Sequence, residues 1–512
     1  MSRRSRISTL FVDGGLLSIW ITSIVLVVLH ERGALWGGGQ PMATLGATID
    51  SKEEWFGIYY QGDNIGYSRT WFHPDEHNGV PGVSVIDQGR VIFNLMGTPQ
   101  RLDVGTQSFI DSDWRLQKFS ATFRTPTYAI AWKGFRHGDN LIVSVETQGS
   151  AITKVLEDPD NDAFVNGLSS WATFHRLRVG QYGKAWVLNP LALKPEPVYY
   201  HVPRCEQLDG QDVVVVETDV DGLTTTSWVT PSGEVLKETS PLGWELRRES
   251  QQQVVKSLTT LSPTLDLLST TSVPIDRFIE HPEQVDRLTL LVDGVDARQF
   301  TVHSPWQTIL PPERLADYQQ SPPNRPWCLL QLRRSHLPHA APESPREIRP
   351  YLQPTLFVQS DDRRIIDQAR AIVGSRIDPW EQAMALNRWI FSTLTKRFTI
   401  GLPSAVDVLQ TSSGDCHEHT VLFTALARSL GIPTRMIAGL VYQGGRLYYH
   451  AWPEVWFGEW IPTDPTLGQP IADATHLRLI EAENEELLSL SRFIGALSVR
   501  VLDLQESVAS SQ

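Results

Sequence analysis

Between residues 54 and about 250, apolar and polar residues alternate in short runs broken by glycine, the period of strands with one buried face. WFGIYYQGDNIGYSRTWF (residues 55–72) sets two aromatic, β-branched-rich runs around Gly62-Asp63-Asn64, which predicts a hairpin. VVVVETDVDGLTTTSWVTPSGEVLKE (213–238) repeats the device, with turns at Asp221-Gly222 and Pro231-Ser232-Gly233. Long helical periods are scarce, so residues 50–250 are expected to form a mainly antiparallel β-rich domain. DRLTLLVDGVDARQFTVH (286–303) reads as a second β segment. Proline then interrupts the chain in SPPNRPW (321–327) and SHLPHAAPESPREIRPYLQP (335–354). Proline fixes φ and removes a donor, so residues 251–355 read as that β segment followed by a proline-rich linker.

From about residue 356 the period is helical. Asp361-Asp362 marks a helix start, and Ile365, Ile366, Ala369, Ile372 and Val373 share a face before Gly374. Asp378-Pro379 with Glu381 starts a second helix, with Met384, Trp389, Ile390 and Leu394 towards the core. A third helix lies in GDCHEHTVLFTALARSLGIP (414–433), where Leu422, Leu426 and Leu430 recur every four residues and Gly431-Ile432-Pro433 ends the pattern. Strands return in RMIAGLV (435–441), LYYHAWPEVWF (447–457) and WIPTDPT (460–466), with turns at Gly444-Gly445 and Gly458-Glu459. The polar stretch after Asp473 is helix-prone, so residues 471–512 read as a helical C-terminal tail.

The first thirty residues change the picture. Arg3, Arg4 and Arg6 precede LFVDGGLLSIWITSIVLVVL (10–29), about the length that crosses a bilayer as a helix. Only Arg32 follows closely, which favours a cytoplasmic N-terminus. The alternatives are a cleaved signal peptide or a buried helix, but no small-x-small cleavage pattern clearly follows Leu29. The expectation is a basic cytoplasmic tail (1–9), a transmembrane signal anchor (10–30) and the bulk of the chain outside the cytoplasm. Over 512 residues, 41% hydrophobic and 20% charged describe a folded chain of two or three domains. A net charge of −13 argues against nucleic acid as a partner. Neither a strand-GxGxxG-helix unit nor a GxxxxGK[ST] loop occurs, so no cofactor is expected.

Chemistry is concentrated at the third helix. Cys416 follows Gly414-Asp415 directly at the helix start, where unpaired N–H groups and the positive dipole end gather. A thiol there loses its proton more easily, and the thiolate is the nucleophile. Such a nucleophile needs a base, and the base needs an orienting partner. His450 sits within an aromatic strand, and Asp464 follows the next turn. The two lie symmetrically about position 457, close to the Gly458 turn, so they should be near neighbours across an antiparallel pair. Cys205 and Cys328 either pair with each other or stand as isolated buried thiols. His417, Glu418 and His419 lack metal-ligand spacing, because i and i+2 diverge on a helix, so no metal is expected. Glu418 and His419 read instead as supports of the active-site turn.

Together, GDCHEHTVLFTALARSLGIPTRMIAGLVY, YYHAWPEVWFGEW and IPTDPT resemble the transglutaminase-like superfamily, strongly over about residues 360–469. The chain is similar in particular to bacterial exported proteins that join this module to an N-terminal β-rich region. Thinner resemblance reaches back through LSTTSVPIDRFI (268–279) and the hairpin at Trp55. The resemblance implies a papain-like α+β core over residues 356–470 with a Cys-His-Asp triad, carried here by Cys416, His450 and Asp464. The implied architecture is α+β: this core, preceded by the antiparallel β domain and the transmembrane helix. The Cys416 backbone N–H is one oxyanion donor, with Trp389 or Gln410 as candidates for a second.

The expected function is that of a membrane-anchored, periplasmic cysteine acyl-transfer enzyme acting on peptide or glutaminyl amides through a thioester. Hydrolysis is slightly preferred over transfer to an amine. The expected partners are protein or peptide substrates, with cell-envelope proteins among the candidates. The alternative is a non-catalytic exported scaffold that uses the same fold for binding.

Overall fold

The computed structural model describes residues 51–506 apart from 96–97, 113–114, 127, 148–150, 157–162, 165–176, 190–193, 221–222, 241–242, 261–270, 301–303, 337–345, 398–402, 482 and 484–487. The described chain divides into two compact units, the second beginning at about residue 268.

In the first unit fifteen strands, from β1 (Lys52–Tyr60) to β15 (Trp244–Glu249), form one sheet. All its pairings are antiparallel except that of β9 (Ala163–Phe164) with the strand Tyr182–Asn189. The sheet is two meanders joined at their ends. One runs back from β8 (Ala151–Leu156) to β1, and the other from β15 back to β9. The β1–β15 pair, with Trp55 opposite Glu249 and Tyr60 opposite Trp244, connects them. β1 turns into β2 (Asp63–His77) through Gln61 and Gly62, whose φ values are 49° and 94°. Two positive φ values suit the right-handed twist of a two-residue hairpin, so the turn precedes its expected centre. Val85, Phe93, Phe109 and Val143 are fully buried, as strand alternation requires. Helix α1 (Gln251–Thr260) ends the described part of this unit.

The second unit is built around one buried helix. α5 (Cys416–Ser429) has Cys416 through Arg428 all buried, which makes it a core element and not a surface helix. Around it pack α2 (Arg363–Val373), α3 (Pro379–Thr393) and α4 (Ala405–Thr411). Each has a side-chain N-cap: Asp362, Asp378 and Ser404. On another side α5 meets an antiparallel sheet in the order β16 (Val273–Pro274), β23 (Arg446–Trp456), β22 (Thr434–Gln443), β25 (His476–Glu481). β24 (Trp460–Pro462) pairs with β23. A buried ion cluster fastens three of these strands. Arg435 Nη2 lies 2.9 Å from Glu454 Oε2, and Arg478 pairs with the same carboxylate. A four-stranded sheet of β18 (Gln307–Leu310), β19 (Trp327–Arg333), β17 (Val285–Asp293) and β26 (Ser498–Glu506) completes the unit. The buried Gln307 amide docks it on β25, donating to Arg478 O at 2.9 Å and accepting from Arg478 N–H at 2.8 Å.

Three expectations need correction. The chain is mostly β, with 52% strand against 21% helix, and not of the α+β class expected. Part of the difference lies in residues 471–512, where a helical tail was expected and β25 and β26 form instead. HLRLIE and SVRVLDLQE both alternate, and pairing with β22 and β17 gives each a partner edge that composition does not show. The proposed anchor (10–30) and basic tail (1–9) lie outside the described residues. Among the described residues no helix is long and apolar enough to cross a membrane. A single-pass protein with a cytoplasmic N-terminus and periplasmic bulk is therefore not supported, and that assignment is withdrawn. The three cysteines are free, Cys205 exposed and Cys328 buried, so neither uniform alternative for that couple describes them.

Candidate active site

The site begins with a helix cap. Asp415 accepts the His417 N–H at 3.1 Å, and Glu418 Oε2 accepts the Asp415 N–H at 3.0 Å. This reciprocal box fixes the first turn of α5 and so the place of Cys416. His419 braces the same turn through Nδ1, 2.5 Å from the Asp415 carbonyl. Gly414 belongs to the arrangement, because a Cβ there would stand 2.3 Å from the Glu418 side chain. Cys416 is fully buried, and the Ala451 backbone N–H points at its sulfur. Burial raises the thiol well above its ordinary range, and the Asp415 charge adds to that. The Ala451 N–H acts in the opposite direction without prevailing. The thiol is therefore protonated at rest.

The residue before Ala451 is His450, also fully buried. Its Nε2 lies 2.7 Å from Asp464 Oδ2. Its Nδ1 is buried with no hydrogen-bond partner among the described residues. An ionised carboxylate only accepts, so Nε2 carries the hydrogen and Nδ1 is left as the basic nitrogen. Asp464 lies beyond β24. The hairpin registers Glu454 with Pro462 and Trp456 with Trp460, centred on Gly458, so Asp464 approaches His450 diagonally and not directly across. A tight turn makes the approach possible, with Asp464 and Gln469 exchanging backbone bonds of 2.9 and 2.8 Å. Within that turn the Thr466 and Leu467 N–H groups hold Asp464 Oδ1 at 2.7 and 2.9 Å. Burial pushes this carboxyl up, but His450 and His476 outweigh it and hold it well below the usual carboxylate range.

Two site residues were not found in the sequence. His476, at the start of β25, places Nε2 3.2 Å from the same Asp464 oxygen. Asp473 lies 3.2 Å from the other ring nitrogen. The Asp-x-x-His spacing was visible, but nothing in a polar stretch read as helix pointed it at Asp464. Of the other candidates, Trp389 is half-buried on α3 and Gln410 is exposed on α4. Neither forms a described side-chain bond to Cys416, His450 or Asp464. His417 is buried with both ring nitrogens lacking described partners, and burial keeps it neutral.

His450, Asp464 and His476 present ligand atoms within 4.8 Å of one another. Two ligands of a tetrahedral cation at about 2.1 Å stand about 3.4 Å apart. The 2.7 Å between His450 Nε2 and Asp464 Oδ2 is the spacing of a hydrogen bond instead.

A buried thiol at a helix start, next to the strand that carries a histidine oriented by a carboxylate, is the residue set of a cysteine-type enzyme. Residues 366–465 match the transglutaminase-like superfamily. An uncharacterized protein of Mycobacterium leprae (strain TN) is 32% identical over 131 residues, 22% of this chain. The match spans 44% of that relative's length. A solved structure described as a candidate cysteine protease, from Cytophaga hutchinsonii, shows 17% identity and a TM-score of 0.28 over 42% of this chain and 82% of its own. A β-barrel-like protein from Brucella abortus shows 10% identity and a TM-score of 0.30 over 39% of this chain and 95% of its own.

Proposed function

We propose that this chain is a cysteine acyl-transfer enzyme acting on peptide or glutaminyl amide bonds, with Cys416 as nucleophile, His450 as general base and acid, and Asp464 as its orienting partner. One observation carries the reading: His450 is tied through Nε2 to Asp464 while Nδ1 is left without a partner, one residue from the N–H that meets the Cys416 sulfur.

The thiol proton passes to His450 Nδ1 as sulfur attacks the amide carbon. The same proton then leaves with the amine, and a thioester remains. The N-terminal turn of α5 brings the Cys416 N–H and the helix dipole to the developing oxyanion. Water then attacks the thioester with His450 again as base, releasing the acid and restoring the thiol. Hydrolysis is the favoured second step. The aromatic residues on the His450 strand are engaged in packing, with Trp452 fully buried and stacked 6.1 Å from His450, and Trp456 against Trp460 at 5.3 Å. Their role in the core accounts for them without a channel for an incoming amine.

The test is incubation of the full chain with a glutaminyl peptide library and a labelled primary amine. Cleavage or ammonia release that vanishes in Cys416→Ala supports the reading. Turnover retained in Cys416→Ala refutes it, and amine incorporation as the main product refutes the preference for water.

A further inference from the structure

His476 has no part in the steps above, yet it is buried against their orienting carboxylate. Its Nδ1 lies 3.1 Å from the Asp473 carbonyl and 3.2 Å from Asp473 Oδ1, and its Nε2 lies 3.2 Å from Asp464 Oδ2. Carbonyls and carboxylates accept only, so both ring nitrogens must carry hydrogens and the ring is an imidazolium. Asp473 is itself committed as an acceptor. Its Oδ1 takes the Thr475 N–H at 2.8 Å and the Thr475 hydroxyl at 2.6 Å, and its Oδ2 takes the Gln469 amide at 2.8 Å. Trp452 packs edge-on against the imidazole at 5.1 Å.

We propose that His476 is a positioning residue of the acyl-transfer site, a fixed cation that clamps Asp464 and divides its negative charge between two imidazoles. The proposal rests on the reading of Cys416, His450 and Asp464 given above. Asp464 Oδ2 receives both histidines, while Oδ1 receives two backbone N–H groups, so the carboxylate has no rotational freedom left. The charged neighbours are consistent with this arrangement. Asp473 faces His476 from its own loop, Asp464 from the turn after β24, and His450 from β23, with ring centroids 5.9 Å apart. β22 places the apolar Val441 opposite it. Arg478, further along β25, is taken up by Glu454. Lys396, from β20 (Thr395–Lys396), and Cys416 both interact with Asp464 from beyond. Burial alone pushes His476 down, but Asp473 and Asp464 together hold it up at about 10.

The functional consequence concerns His450. A lone carboxylate stabilises a protonated histidine beside it, and a histidine already protonated cannot take the thiol proton. His476 shares Asp464 Oδ2 with His450 and so moderates that pull.

The test is imidazole NMR of histidine-labelled full chain, with the His450 signal assigned from a His450→Gln spectrum. In the wild type His476 should be doubly protonated near pH 8, where an ordinary histidine is neutral. His476→Gln keeps an N–H donor without the charge, and it should shift the His450 imidazole resonances, because the carboxylate the two rings share loses its second cation. Asp473→Asn should shift them in the same direction by less, and it serves as the second variant if His476→Gln does not fold. A neutral His476 near pH 8, or unmoved His450 resonances in the variant that folds, overturns the proposal. These readouts do not depend on a substrate, whereas the acyl-transfer reading stands or falls separately on Cys416→Ala.

Discussion

The backbone N–H of Ala451 meets the sulfur of Cys416, so the strand that carries the proposed base, His450, also touches the proposed nucleophile. Because burial dominates, the thiol rests protonated, and in the proposed mechanism its reactivity depends on His450 and not on a standing thiolate. We expect iodoacetamide to modify exposed Cys205 first, with Cys416 labelling slow at neutral pH and still slow where an ordinary thiol is ionised. Peptide mass spectrometry over a pH series reads this. Rapid labelling of Cys416 at mildly acidic pH would show a resting ion pair and contradict the arrangement.

Asp464→Asn should lower kcat by up to about 10⁴-fold while largely sparing KM, since an amide can present its N–H to His450 and reverse the tautomer. Steady-state kinetics on any peptide the wild type cleaves would measure it. A KM effect alone would instead make Asp464 a substrate contact.

The charged couple at His476 makes stability depend on pH in a definite direction. His476 is raised from the ordinary 6.5 to about 10, so its contribution is complete below about pH 6.5 and is lost as pH rises through about 10. Asp464 is lowered, so its contribution is present above about pH 4 and is lost as pH falls. Thermal melts should therefore show a Tm that declines between about pH 6.5 and 9, and His476→Gln should flatten that decline. An equal slope in both proteins would assign it to other groups.

Glu454 lies fully buried between Arg435 and Arg478, and removing its charge leaves Arg478 without a paired carboxylate and Arg435 with only Glu481, 3.4 Å away. Glu454→Gln should cost about 3–5 kcal/mol, read by urea unfolding of the second unit. A loss under about 1 kcal/mol would mean that water or Glu481 takes over.

Gly439 pairs with His450, and a Cβ there would stand 2.1 Å from the Leu477 carbonyl and 2.7 Å from the Trp452 ring. Gly439→Ala should force β22 and β25 apart, reducing activity and Tm together. Unchanged melting with full activity would show that the bulge between Ala438 and Gly439 can absorb a methyl group.

What the sequence disclosed depended on how local the cause was. The capped start of α5, its buried Leu422 and Leu426 and the Gly431 stop rest on neighbouring residues, and their elements lie where periodicity put them. The His450–Asp464 approach was legible because a hairpin converts spacing into proximity, although Asp464 arrives through a turn and not on the strand. His476 and Asp473 were not legible, because β25 crosses to β22 from a stretch whose own composition suggests helix. Trp389 and Gln410 were singled out without any spacing argument, and half-buried and exposed positions on separate helices followed.

The pairing of β1 with β15 has a consequence for synthesis. Tyr59 and Glu249, bonded across that seam, are 190 residues apart. At about 5–20 residues per second, the ribosome delivers the first strand roughly 10–40 s before its partner. The leading meander can zip strand by strand in that interval, but the outer edge of β1 stays open, a run of unsatisfied donors and acceptors that other nascent chains can template. During translation this seam is the place where a holding chaperone has most to protect.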